Sequence, residues 1–221
     1  MRARAAVTLA LGLTVGATPL AAEPVPPRFN RLVLETVATY RAEGGYVWPA
    51  RAGTHGTTRD LWLGARPRVI RVARSGRGTH CVGVTFEVLW RSLERLPGGP
   101  AAAGLTAASA RRMRRIWFVP KSGGMGAAEA LPAVRLGRRI ASLEDARAGD
   151  FVQVWGDGWG HSAVFLGWLR NQTGAIVGLR YWSSQPWTDG MGESSFAIGV
   201  APGEVHPDRI FLARAEPPTP R

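Results

Sequence analysis

The chain is poor in cysteine, lysine, histidine and charge overall. One cysteine, Cys81, stands among 221 residues, which excludes an internal disulfide framework and any multi-cysteine zinc site. The four histidines, His55, His80, His161 and His206, contain no ligand pair at helical spacing. The adjacent His80 and Cys81 do not make one either, so no metal site and no cofactor is expected. No Gly-x-Ser-x-Gly occurs, which disfavours an α/β-hydrolase. Charged residues make up 20 % of the chain beside nine tryptophans, too little charge and too many large rings for a disordered polymer. The formal net charge is +12, yet Lys121 is the one lysine. The excess is therefore arginine in an Ala- and Gly-rich composition. It reads as codon bias as much as selection for a basic surface, and no nucleic-acid partner is expected.

Long apolar runs are also scarce. The one that stands out runs from Ala5 to about Gly16, after Arg2 and Arg4 and before Thr18-Pro19-Leu20-Ala21-Ala22. A basic start, a short apolar stretch and a small-residue cleavage zone are the layout of a secretory signal over 1–22. The run is too short to span a bilayer as a mature helix, and Glu23-Pro24-Val25-Pro26-Pro27 cannot continue it. The expectation is an exported protein, periplasmic or secreted, with no stable membrane insertion after cleavage.

The rest of the chain reads as one domain over 23–215 with a flexible tail at 216–221. Phe29, Leu32, Val33, Thr36, Val37 and Tyr40 recur at helical spacing up to Gly44-Gly45. Residues 49–79 read as a loop-rich insertion with one strand at Val69–Val72. A second helix is expected from Cys81 to Leu96, stopped by Pro97-Gly98-Gly99-Pro100. A third carries Arg111, Arg112, Arg114 and Arg115 and ends near Pro120, and a short one covers Ala127–Leu131. The remainder is strand-like at Phe151–Trp155, Ser162–Trp168, Ala175–Trp182 and Arg209–Ala213. Helices first and strands later is an α+β pattern, with helices on one face of an antiparallel sheet.

Two residues stand where chemistry is easiest. Cys81 opens a helix, where unpaired N–H groups and the positive end of the macrodipole favour a thiolate. His161 opens an apolar strand after a Gly-rich turn, where an imidazole is held yet reachable. A thiol nucleophile and its base need that arrangement. Each residue also has an ordinary structural reading: a small buried hydrophobe for Cys81, a satisfied core side chain for His161.

In these positions the chain resembles the NlpC/P60 cysteine peptidases, a papain-like group of cell-wall amidases related to CHAP domains. The family's helix leading to an aromatic-rich segment matches Phe29–Tyr40 followed by Gly45-Tyr46-Val47-Trp48. Its nucleophile motif matches His80-Cys81-Val82-Gly83-Val84. Its Pro-Gly-Asp turn matches Ala148-Gly149-Asp150, and its histidine strand matches Gly160-His161-Ser162-Ala163-Val164. The departures are the insertion at 49–79 and His80 and Val82 flanking the cysteine. A third catalytic residue is not obvious; Gln185 comes first, with Ser184 next.

The resemblance implies a papain-like α+β fold and a cysteine amidase or peptidase acting on peptidoglycan stem peptides. Cys81 is then the nucleophile, His161 the base and acid, and Tyr46 an aid to the oxyanion held by the Cys81 N–H. Trp159 and Trp182 are candidates to stack on substrate, and the arginine clusters to hold an anionic envelope polymer. Two other readings stay open: a catalytically inactive envelope-binding or scaffolding module on the same fold, and a thiol acyltransferase.

Overall fold

A computed structural model describes residues 25–41, 45–48, 55–64, 68–70, 78–119 and 122–218. The expected signal segment at 1–22 lies outside the described residues. The first amphipathic stripe forms α1 (Arg28–Val37), with Phe29, Val33 and Val37 buried. It is shorter than its periodicity suggests because Thr39 and Tyr40 turn their N–H groups back to Thr36 and Val37, a tightening common at helix ends. Asn30 is polar inside that buried face, and its amide donates to Ala148 O at 3.0 Å and Asp150 Oδ1 at 2.8 Å.

Helix α2 (Cys81–Glu94) buries eleven of its fourteen residues, Thr85, Glu87 and Ser92 among them, so it is covered nearly all round and lies at the centre. Helix α3 (Gly99–Ala102), absent from the sequence expectation, is a single turn after Gly98. Helix α4 (Ala107–Trp117) starts on a reciprocal capping box between Thr106 and Ser109, and α5 (Ala127–Ala133) comes next.

The described residues of the insertion include two short strands. Its β1 (Leu61–Trp62) and β2 (Arg68–Ile70) pair antiparallel, and Leu61, Leu63 and Val69 join the core under α2. The wholly buried Glu87 of α2 accepts the N–H and the hydroxyl of Thr58, both at 2.6 Å. Trp90 Nε1 donates to Trp62 O at 3.1 Å. This part of the insertion is therefore fixed to the central helix.

The large sheet contains β3 (Gly137–Ile140), β4 (Phe151–Gly156), β5 (Trp159–Arg170), β6 (Ile176–Gln185), β7 (Gly190–Ala197) and β8 (Ile210–Ala215). Their order is β3-β8-β4-β5-β6-β7, and every neighbouring pair is antiparallel. Residues such as Phe151, Val164, Trp182 and Ala213 face the helices in one core. Their alternates, among them Val152, Ala163, Phe165, Leu179 and Tyr181, form a second core on the other face. The protein is thus α+β, with five helices and a six-stranded antiparallel sheet among the described residues. Among the same residues no helix is long and apolar enough to cross a membrane.

One buried carboxylate ties these parts together. Asp150, with no exposed surface, accepts from Asn30 of α1, from the Arg147 N–H at 2.8 Å, and from Arg214 of β8 at 2.8 and 2.9 Å. Gly149 sits at φ +88°, and a Cβ there would lie 2.6 Å from Asn30 O. The Ala148-Gly149-Asp150 turn is therefore a structural joint between helix and sheet.

Candidate active site

The first turn of α2 is built by its flanks. His80 is the N-cap, its Nδ1 accepting the Gly83 N–H at 3.2 Å. Gly83 is required here: a Cβ would meet His55 O at 1.9 Å and Gly56 O at 2.6 Å. On the other side the chain bridges Tyr46 to Thr79, with Val47 N–H bonded to Thr79 O at 3.0 Å. The Thr79 hydroxyl meets Ser184 Oγ of β6 at 2.7 Å. These contacts deliver Cys81 to the sheet.

It arrives where two strands part. Strand β5 pairs with β4 from Trp159 onward, but with β6 only from Val164, opposite Trp182. In the fork, side chains take over from the ladder. Ser183 Oγ donates to Ser162 O at 2.6 Å, and the Ser162 N–H points at the Cys81 sulfur. The N–H groups of Val82 and Cys81 itself point there too. The thiol thus sits beside the peptide bond that joins His161 to Ser162.

The sequence expectation places His161 at the start of its strand, but it is the third residue of β5 and pairs with Val154. Its ring lies against Tyr181 at 5.4 Å, Phe196 at 5.6 Å and Trp187 at 6.2 Å between centroids. Nε2 has no hydrogen-bond partner. Gln185 is the polar side chain that reaches the imidazole and favours its charged form. Its Oε1 makes no hydrogen bond of ordinary geometry, while its Nε2 donates to Gly192 O at 3.2 Å.

Electrostatics correct one expectation. Burial pushes the Cys81 thiol up, outweighing the three N–H groups that pull it down. Burial also pushes His161 down to about 4, against the opposing effect of Gln185. At neutral pH the resting pair is a neutral thiol and a neutral imidazole, not the thiolate expected from the helix start, because desolvation outweighs the helix-end dipole. Tyr46 is pushed up to about 12 by burial and by the proximity of Cys81. Tyr181, which the sequence did not single out as a site residue, is also raised by burial and lies within electrostatic range of the sulfur.

The remaining candidates separate. Ser184 is wholly buried and serves Thr79, on the helix-facing side of β6 with Trp182. It steadies the approach to Cys81 and does not orient His161. Trp182 is 5 % exposed and packs on Tyr40 with ring centroids 5.2 Å apart, so it is part of the core on the helix-facing side. Trp159 is half-buried over Gly156 and packs on Phe196, one ring away from His161. Three indoles are exposed among the described residues: Trp62 of β1, Trp187, against His161, and Trp48, whose ring is 5.8 Å from that of His80.

Among the described residues no group of three or more His, Cys, Asp or Glu side chains is placed to hold a metal ion. His206 is instead bonded to Asp157 at 2.8 Å, and His55 faces α4. No family model, curated protein or solved structure matches the chain.

Proposed function

We propose that the protein is an exported cysteine amidase of papain-like, NlpC/P60 type that cleaves amide bonds in peptidoglycan stem peptides. The carrying observation is the fork between β5 and β6, where the Cys81 sulfur lies beside the His161–Ser162 peptide and Gln185 faces the imidazole. The four short motifs in family order support the same reading.

The sulfur attacks the amide carbonyl carbon while its proton passes to His161, because the resting groups are both neutral. The carbonyl oxygen takes up the negative charge, met by the Cys81 backbone N–H and the Tyr46 hydroxyl. The imidazolium, steadied by Gln185 and by the oxyanion, returns its proton to the leaving nitrogen as the C–N bond breaks. Water then attacks the thioester, giving its proton to His161 and freeing the acid and the thiol. Trp48 and Trp187 offer exposed aromatic faces beside His80 and His161.

The burial of both reacting groups, with Cys81 7 % and His161 6 % exposed, favours the second reading of an inactive envelope-binding module. Incubation with purified sacculi separates the two. Released peptide fragments that disappear with Cys81→Ser support the amidase, and binding without release supports the module.

A further inference from the structure

Helix α4 carries Arg111, Arg112, Arg114 and Arg115 along an open groove of about 550 Å³ completed by His55 and Phe118. Among the described residues none of the four makes an ion pair, although other exposed arginines do: Arg59 with Glu94, Arg68 with Asp60, Arg95 with Glu35, Arg138 with Glu216 and Arg170 with Glu144. Like charges three and four positions apart on a helix repel each other, so α4 concentrates positive charge that its own fold leaves uncompensated. The groove is also tied to the thiol. Phe118 packs edge-on against His55 at 6.1 Å and against His80, the cap of the Cys81 helix, at 6.2 Å. His55 O lies where a Cβ on Gly83 would be.

We infer that the α4 groove binds the carboxylates of an acidic peptide portion of the substrate, alongside the bond presented to Cys81. This rests on the amidase reading for the link to catalysis, but not for the binding itself. Planar guanidinium groups match carboxylates in paired hydrogen bonds, and Phe118 gives the peptide stem an apolar contact. The groove's position beside the first turn of α2 favours a peptide that continues into the site over an unrelated polyanion.

The test is fluorescence anisotropy of a labelled hexaglutamate peptide on the Cys81→Ser chain. A hexaglutamine peptide, a single-stranded oligonucleotide and vesicles with anionic lipid serve as separate arms. Hexaglutamate is expected to bind, hexaglutamine not to, and Arg111→Gln with Arg115→Gln to weaken binding at least about tenfold. A second pair, Arg112→Gln with Arg114→Gln, is expected to do the same, and thermal melts of each variant show that it is folded. Unchanged hexaglutamate binding in both folded pairs overturns the inference. Tighter, arginine-dependent binding of the oligonucleotide or vesicles overturns it as well. Binding is read on Cys81→Ser and cleavage on the natural chain, so hexaglutamate bound by the first with sacculi left uncut by the second contradicts the amidase reading alone. Sacculi cut by the second with no binding through α4 in the first contradict this inference alone.

Discussion

The backbone N–H of Ser162 points at the sulfur of Cys81, filling the place that β6 leaves when it parts from β5 beside His161. The thiol is therefore held by the sheet and by its own helix, in a water-poor setting that keeps it protonated. That setting governs the reactivity of the sulfur.

The thiol should be slow toward iodoacetamide. At pH 7 the folded chain is expected to react at least about tenfold more slowly than the urea-unfolded chain, because the thiolate is the reactive form. The rate should climb only above the ordinary thiol range of about 8.5 to 9, since burial raises Cys81. Fast labelling at pH 6 would show a preformed ion pair and contradict the neutral resting pair.

His161 should make stability depend on acid. Its folded value, about 4, lies below the ordinary 6.5, so the unfolded chain binds the extra proton. The stabilisation is complete above pH 6.5 and is lost as pH falls through 4, by about 3 kcal/mol in all. Urea unfolding across pH 4 to 7 should show this slope in the natural chain and a flatter one in His161→Gln. Equal slopes would place the imidazole in water.

Gln185 and Ser184 should separate in kinetics. Gln185→Ala removes the polar partner of the imidazole and is expected to lower kcat about ten- to a hundredfold. Ser184→Ala removes the Thr79 bond and should cost about 1 kcal/mol of stability with a smaller effect on kcat. The reverse pattern would move the third catalytic role to Ser184.

Gly83 tests the packing behind the nucleophile. Alanine is the better helix former by about 1 kcal/mol. Yet a Cβ at this position meets the His55 and Gly56 backbone, which cannot yield as a side-chain tip can. Gly83→Ala is expected to destabilise by about 2 kcal/mol or more in urea unfolding. A neutral or stabilising result would mean that residues 55–56 do not lie on α2.

The sequence made Cys81 and His161 legible because both are rare residue types, one opening a helix and the other just after a Gly-rich turn, and local context was enough to single them out. It placed the strands of the sheet centre, whose apolar runs are buried on both faces. It missed β3 and β7, edge strands with few apolar residues: β7 holds its register with β6 through the ladder, a signal no local window contains. The same limit explains Trp182 and Ser184. Successive strand residues point to opposite faces, so Ser184 and Gln185 could be told apart only by a register that the sequence does not state. The thiol's protonation was misjudged for a related reason. The helix dipole is visible in the sequence, whereas burial comes from residues far away in it.

The proposed chemistry is amide cleavage by Cys81 with His161 as its base. Mass spectrometry of sacculi incubated with the protein lacking residues 1–22 tests it most directly, with Cys81→Ser and His161→Ala in parallel. Stem-peptide fragments with one new amine and one new carboxyl terminus per cut are expected, and none above background from either variant. Cleavage that survives Cys81→Ser, or sacculi left intact by a folded protein that binds them, would contradict it.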